Sequence, residues 1–214
     1  MIEEFDKLYK EIIGTTPLNK GLTYDGSQYK EEFIESWNEI VNYIQEKKLT
    51  KIKWLEIGAF KGLWGLMLSF VCDNLKIDYE YVTITWLDQD PEKNKYLFKV
   101  QKYYQNRGKN FHIIDGISQN LENKNKVLEL HKKYNIVFID GDHSYQGVLE
   151  DIKLYYNLSN NIVIFHDIRP KQITPGCHLE VYPAIVDSNI ILDREIVYDP
   201  TGIRGIGLKF INYG

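Results

Sequence analysis

Residues 54–69 read WLEIGAFKGLWGLMLS, and this stretch decides the architecture. The apolar run Ile52–Ile57 predicts a buried strand. Gly58 and Gly62 predict a tight turn, and Leu63, Leu66, Met67 and Phe70 follow at helical spacing. Strand, glycine turn and helix form the first βα unit of a doubly wound sheet, in which ligands bind at the carboxyl ends of the strands. The spacing G-x-x-x-G differs from the G-x-G-x-x-G of dinucleotide sites, whose second glycine makes room for a pyrophosphate. Phe60 stands at that place here. Glu56 adds a charge that repels phosphate and attracts an ammonium group. Glu56, Gly58, Ala59, Phe60 and Gly62 are therefore candidates to hold a nucleoside with a cationic amino-acid tail rather than a dinucleotide.

The rest of the composition is compatible with one soluble domain. The chain has 214 residues, 43% hydrophobic and 26% charged, which suffices for one sizeable core. A net charge of −4 gives no basic footprint for nucleic acid. No apolar run reaches the length of a membrane span, and no signal-peptide pattern is present. Cys72 and Cys177 form neither a zinc pattern nor a disulfide framework, so a reducing, cytoplasmic setting is expected.

Read outward from the opening unit, the chain alternates. Residues 1–50 precede the sheet as a helical extension, with helices over Ile2–Ile13 and Gln28–Lys48. The loop between them, Gly14–Ser27, is a candidate lid. Residues 51–214 form the sheet domain. Tyr79–Leu87 is β-branched and aromatic and predicts a second strand, followed by a helix over Pro91–Arg107 that Asp90 caps. Phe111–Ile114 predicts a third strand, Tyr134–Ile139 a central buried one, and Asn161–Phe165 a fifth. Ile168–Val186, with Pro170, Pro175 and Pro183, predicts a loop bordering a substrate pocket. Asn189–Ile196 and Gly202–Ile211 predict an antiparallel hairpin at the sheet edge.

The predicted strand ends fall at Glu56, Asp88, Asp115, Asp140 and Asp167, separated by 32, 27, 25 and 27 residues. Each interval is one βα repeat, and each tip carries a carboxylate. Asp88, with Gln89 beside it, is the candidate for a ribose diol, because a carboxylate accepts two hydroxyl hydrogen bonds. Asp140 and Asp167 end adjacent central strands, where their carboxylates can share a cation. Hard oxygen ligands favour Mg²⁺, or Mn²⁺ if His166 joins as a nitrogen ligand. A metal there can bind a substrate hydroxyl and lower its pKa. His143, three residues past Asp140, is the candidate to take that proton. Asp142 and Ser144 read as caps of the helix starting near Tyr145; His112, His131 and His178 read as surface or structural histidines.

The E-x-G-x-x-x-G closing an apolar strand resembles motif I of the class I S-adenosylmethionine methyltransferases. FIDGDHSYQGVLEDI (138–152) followed by IVIFHDI (162–168) resembles the metal-dependent O-methyltransferase family of macrocin O-methyltransferase and its relatives acting on sugars of antibiotics and polysaccharides. Cephalosporin-hydroxylase-like proteins share the pattern. The similarity covers roughly Ile52–Ile168. It implies a Rossmann-like sheet of about seven strands, mostly parallel with an antiparallel C-terminal hairpin and helices on both faces. It implies S-adenosylmethionine as cofactor, Asp140 as a metal ligand and cofactor neighbour, His143 as general base, and Asp167 as a further ligand. The family's acidic pair reads His166-Asp167 here, so one carboxylate is replaced. The family also places an acid before Ser118 to read the adenine amine, and this chain has Ile117; Asp115 or the Ile117 backbone stands in.

The implied reaction is attack of a metal-bound, deprotonated hydroxyl of a small molecule or glycan on the sulfonium methyl group. Family members are often oligomeric, but no interface signature is legible. Two other readings compete: a catalytically inactive binding protein on the same fold, and a Rossmann-type NAD or nucleotide-sugar oxidoreductase, against which Phe60 speaks.

Overall fold

The computed structural model describes residues 2–14, 23–24, 28–89, 91–168, 180–198 and 204–211. In chain order the elements are α1 (Ile2–Ile13), β1 (Thr23–Tyr24), β2 (Gln28–Tyr29), α2 (Lys30–Glu46), β3 (Lys51–Ile57), α3 (Leu63–Leu75), β4 (Asp78–Thr85), α4 (Pro91–Gln105), β5 (Asn110–Asp115), α5 (Leu121–Leu130), β6 (Tyr134–Ile139), α6 (Tyr145–Tyr155), β7 (Ser159–His166), α7 (Val181–Asp187), β8 (Arg194–Ile196) and β9 (Ile206–Phe210). β1 and β2 form a small antiparallel ladder of their own.

The main sheet has seven strands in the order β5-β4-β3-β6-β7-β9-β8. β3 to β7 run parallel, and β9 pairs antiparallel with both β7 and β8. The chain winds from β3 outward through β4 to β5, then returns to the other side of β3 as β6 and β7. The reversal lies between β3 and β6, where the crevice of such a sheet opens. The expected mostly parallel sheet with an antiparallel C-terminal hairpin and helices on both faces is what the chain adopts.

Alternating side chains of the buried strands feed two cores, as the period of two requires. Ile52 and Trp54 face α1, α2, α3 and α4; Leu55 and Ile57 face α5, α6 and α7. The first core is aromatic. Trp37 of α2 stacks on Trp54 at 5.4 Å, and Trp64 of α3 packs on Phe138 of β6 at 4.7 Å. All four rings are at most 5% exposed. The N-terminal helices thus cover one face of the sheet directly.

The helix expected over Gln28–Lys48 begins at Lys30, because Gln28–Tyr29 pairs as β2. Three further differences from expectation each have a local reason. β4 ends at Thr85, and Leu87–Gln89 turns as a 3-10 segment. The Asp115 carboxylate accepts the Leu87 amide at 2.9 Å and pins that turn. The segment before residue 187, expected as loop, contains helix α7. Pro183 sits in its first turn, where backbone N–H groups have no helical partner to lose, and Val181, Ala184 and Ile185 bury one face. Asn189–Ile196, expected as a strand throughout, pairs only over Arg194–Ile196, because Asn189 takes a left-handed turn, φ 56°, after α7. The proposed lid falls mostly on residues 15–22 and 25–27, outside the described residues, as do Asp90, Cys177 and His178.

Candidate active site

The tips of β3 and β6 touch. Gly58 has φ +88°, and a Cβ there would lie 2.1 Å from the Asp140 carbonyl oxygen, so only glycine lets the two chains pass. Gly62, φ +80°, starts α3 against Leu97 and Val100 of α4. Between these glycines Ala59 is buried, and Phe60 is a partly exposed ring at φ 45°. The glycine turn therefore serves close approach of protein to protein as well as an open strand tip.

Glu56 lies beneath the rim rather than on it. It is 1% exposed, and its carboxylate accepts a hydrogen bond from the Tyr81 hydroxyl of β4. Burial pushes its pKa up to about 8, against the Tyr81 bond, which favours the ionised form. Burial thus disfavours the free rim charge expected there for an ammonium group.

A cavity of about 710 Å³ opens over the crevice, within the range of small-molecule sites. It is walled by Ile57 and Gly58 from β3, Ile84 to Trp86 from β4, Gly116 to Gln119 after β5, Gly141 to Ser144 after β6, and Glu180. Among the expected site residues, Gly58, Ile117, Ser118 and His143 line it; Glu56, Ala59, Phe60, Gly62, Asp88, Asp140, His166 and Asp167 are not in its walls. Asp88 is exposed in the turn after β4, and Gln89 closes that turn. The sequence reading missed Trp86, Gln119 and Glu180. Trp86 and Ile117 are large apolar side chains left 49% and 53% exposed beside the cavity, a surface suited to a flat ring. Glu180 accepts the Tyr145 amide at 2.6 Å, which fastens the residue before α7 to the start of α6.

Below the cavity, the ends of β6 and β7 bring four side chains together. One ligand atom each from Asp140, His143, His166 and Asp167 lies within 4.8 Å of the others. His143 Nε2 stands 3.0 Å from Asp140 Oδ1 and 3.5 Å from Asp167 Oδ2. His166 Nδ1 stands 3.2 Å from Asp140 Oδ1 and 3.1 Å from Asp167 Oδ1. His166 and Asp167 are buried, whereas the side chain of His143 is 28% exposed and meets the cavity. Burial opposes the charge on Asp140, His143 and His166, but their oppositely charged partners prevail. His166 and His143 hold the Asp140 carboxyl below the usual carboxylate range; Asp140 and Asp167 in turn raise both imidazoles.

The neighbouring polar residues have the structural roles expected of them. Ser144 caps α6 by accepting the Gly147 amide at 3.1 Å, and Asp142 accepts the Ser144 amide at 2.9 Å. His112 and His131 pair with Glu80 at 3.2 and 3.0 Å, away from this group.

Comparison with known proteins agrees with this geometry. The family model described as "Methyltransferase domain" matches residues 55–168, from β3 to just past β7. The uncharacterized protein R132 of Acanthamoeba polyphaga mimivirus is 28% identical over 182 residues, 82% of this chain and 74% of that protein. The structure of the O-methyltransferase NovP covers 98% of both chains at a TM-score of 0.58 and 12% identity. The structure of the methyltransferase MycE of the mycinamycin pathway, in complex with Mg, SAH and mycinamycin VI, covers 98% of this chain and 56% of that one, at a TM-score of 0.55 and 13% identity. At such identities the two structures speak for the fold; the family match, 114 of 214 residues, decides membership. This chain belongs to the methyltransferase domain family, and it is a class I S-adenosylmethionine-dependent methyltransferase.

Proposed function

We propose that this protein methylates a hydroxyl group of a small molecule or glycan with the help of a divalent ion. The observation that carries the reading is the convergence of Asp140, His143, His166 and Asp167 beside the cavity. Their donor set fits an ion. Neighbouring ligands around an ion with bonds of about 2.1 Å stand roughly 3.0–3.4 Å apart; the four histidine–carboxylate separations here are 3.0–3.5 Å, and all four donor atoms lie within 4.8 Å of one another. Asp140, His166 and Asp167, the more buried members, would hold it. MycE, of the same fold, is a methyltransferase in complex with Mg and SAH, which is compatible with a divalent ion here.

When bound, S-adenosylmethionine supplies an electrophilic methyl group, and the ion lowers the pKa of an adjacent hydroxyl. The chain's own residues do the rest. Trp86 and Ile117 offer apolar surface to the base, Asp88 offers two acceptors to the ribose, and Gly58 keeps the strand tip open. His143, more exposed than the buried ligands and made more basic by Asp140, accepts the proton of the acceptor hydroxyl. Asp142 and Glu180 line the same end and offer acceptors to further hydroxyls. A net charge of −4 disfavours nucleic acid as acceptor. Among the described residues no helix is long and apolar enough to cross a membrane. The free, buried thiol of Cys72 suits the cytoplasm.

The test is transfer of labelled methyl from S-adenosylmethionine to a panel of polyhydroxylated acceptors, before and after chelation. Label on oxygen that disappears with EDTA and returns with a divalent ion supports the reading. Full activity in stripped protein, or label on nitrogen, contradicts it.

A further inference from the structure

Tyr145 opens α6 two residues past His143, and it holds helix α7 at both ends. Its amide donates to Glu180 Oε2 at 2.6 Å, and its hydroxyl donates to Asp187 Oδ2 at 2.6 Å. Glu180 directly precedes α7, and Asp187 is its last residue. α6 is the fixed partner of the two, because it is tied to the loop after β5: Gln119 Nε2 donates to Asp151 Oδ1 at 3.1 Å, and the Tyr155 hydroxyl donates to the Ser118 carbonyl at 2.5 Å. Val181, Ala184 and Ile185 of α7 pack into the same core as Val148 and Ile152 of α6. Apolar contact carries no direction, so it leaves α7 free to slide along its axis. The two hydrogen bonds of Tyr145 set that register. The Tyr182 hydroxyl adds a tie to Glu195 of β8 at 3.1 Å, so losing one bond loosens α7 without releasing it.

The register matters because of where it puts Glu180. That residue lines the cavity together with Asp142, His143 and Ser144. In the strand order this end belongs to β6, whereas Trp86 and Ile117 follow β4 and β5, two and three strands away across β3. At about 4.8 Å per strand the two ends are roughly 10–15 Å apart. Glu180 therefore stands at the end of the proposed base, His143, and not at the end that offers apolar surface. The Tyr145 amide lies in the first turn of α6, where N–H groups lack a helical partner, and Glu180 satisfies it with one oxygen. Among the described residues no protein donor bonds the other oxygen, Oε1. A carboxylate held in this way has one oxygen fixed and one left as an acceptor for a ligand in the cavity.

We propose that Glu180 selects the acceptor substrate by taking a hydrogen bond from a second hydroxyl of it, and that Tyr145 is the positioning residue that holds Glu180 there by keeping α7 in register. The proposal rests on the hydroxyl-acceptor reading given above and adds the residues that choose among such acceptors. An acceptor without that second hydroxyl leaves the carboxylate unmatched, a loss on the order of ten- to a hundredfold in kcat/KM.

The experiment is transfer of labelled methyl from S-adenosylmethionine to methyl glucoside, methyl galactoside and methyl mannoside, and to the monodeoxy analogues of the one methylated best. Wild type should lose about ten- to a hundredfold in kcat/KM, mostly through KM, on one analogue that still carries the methylated hydroxyl. Glu180→Ala should treat parent and analogue alike to within about threefold, with its affinity for S-adenosylhomocysteine changed by less than about twofold in calorimetry. Tyr145→Phe, which removes only the bond to Asp187, should cut the discrimination by about threefold or more. Asp187→Asn, whose side-chain oxygen still accepts from the Tyr145 hydroxyl, should retain it. A purely structural role would lower the melting temperature and slow parent and analogue together, leaving the discrimination intact. Should Glu180→Ala fail to fold, Glu180→Gln decides, because its amide oxygen still caps Tyr145 while an uncharged donor replaces the second oxygen. Discrimination reduced by about threefold or more in that variant supports the proposal, and undiminished discrimination overturns it. Undiminished discrimination in folded Glu180→Ala overturns it too, as does a loss of S-adenosylhomocysteine affinity as large as the loss for the parent glycoside, which would assign Glu180 to the cofactor. Transfer to none of the glycosides by wild type would contradict the sugar-acceptor reading itself, and the proposal would fall with it.

Discussion

His166 Nδ1 and Asp167 Oδ1 stand 3.1 Å apart although they belong to consecutive residues. On a regular strand, neighbours point to opposite faces. They converge because Asp167 leaves β7 in the left-handed region, φ 56°. Such a conformation costs a non-glycine residue roughly 1–2 kcal/mol, and Asp tolerates it better than most. Strain at a strand tip that turns a carboxylate toward a histidine is the pattern of a functional site.

The donor set of this cluster bears on which ion binds. Imidazole nitrogen suits transition ions, whereas Mg²⁺ prefers oxygen throughout. Wild type should bind Mn²⁺ more tightly than Mg²⁺, and His166→Asp should narrow that difference. Competition titrations with both ions measure it; an unchanged ratio would show that His166 is not a ligand.

His143 is the member open to the cavity. Its replacement by Ala should lower turnover by about 10²–10⁴, the range for loss of a general base, with the affinity for S-adenosylhomocysteine changed by less than about twofold. Abolished cofactor binding in a folded His143→Ala protein would remove the proposed role.

Asp151 makes stability depend on pH. Burial, with Asp142 and Glu150 nearby, pushes its pKa up to about 7 against the Ser118 hydroxyl and the Asp142 amide; an unfolded Asp titrates near 4. The folded state therefore holds the proton more tightly. Its contribution is complete below about pH 4, declines as pH rises to about 7, and is level above that. Wild type should lose stability relative to Asp151→Asn across this window, by up to about 4 kcal/mol. Denaturant melts of both proteins at pH 5 and pH 8 check the sign; parallel curves would mean that Asp151 does not titrate there.

The aromatic core makes the N-terminal extension part of the folded unit. Trp37→Ala removes a ring stacked on Trp54 and leaves a cavity, which should cost about 3–5 kcal/mol. Urea unfolding monitored by tryptophan fluorescence gives the value. A loss under about 1 kcal/mol would mean that α2 is only loosely docked.

Much of this was readable in the chain. Regular spacing from Glu56 to Asp167 announced the parallel repeats, and the Asp140–Ser144 block announced both the helix cap and the cluster of Asp140 and His143. What escaped has physical causes. The burial of Glu56 depends on Tyr81, supplied by the neighbouring strand, and cross-strand partners are invisible before register is known. Helix α7 was hidden because Pro183 reads as a breaker, although a first-turn proline breaks nothing. Gln119 and Glu180 carry no motif; only the reach of α6 toward the loop after β5 and the fastening of Tyr145 reveal them. That His166 and Asp167 share one site was expected from the sequence; the left-handed turn at Asp167 that brings them together was not, because no spacing rule encodes it.

The central claim is that the tips of β6 and β7 hold a divalent ion beside the cofactor cavity. Titration of Mn²⁺ followed by electron paramagnetic resonance, in wild type and in Asp140→Asn and Asp167→Asn, tests it most directly. Asn keeps each backbone conformation while removing a charge. The account predicts one tightly held Mn²⁺ in wild type and its loss in both variants. Unbound Mn²⁺ in wild type, or equal uptake by all three proteins, would contradict it.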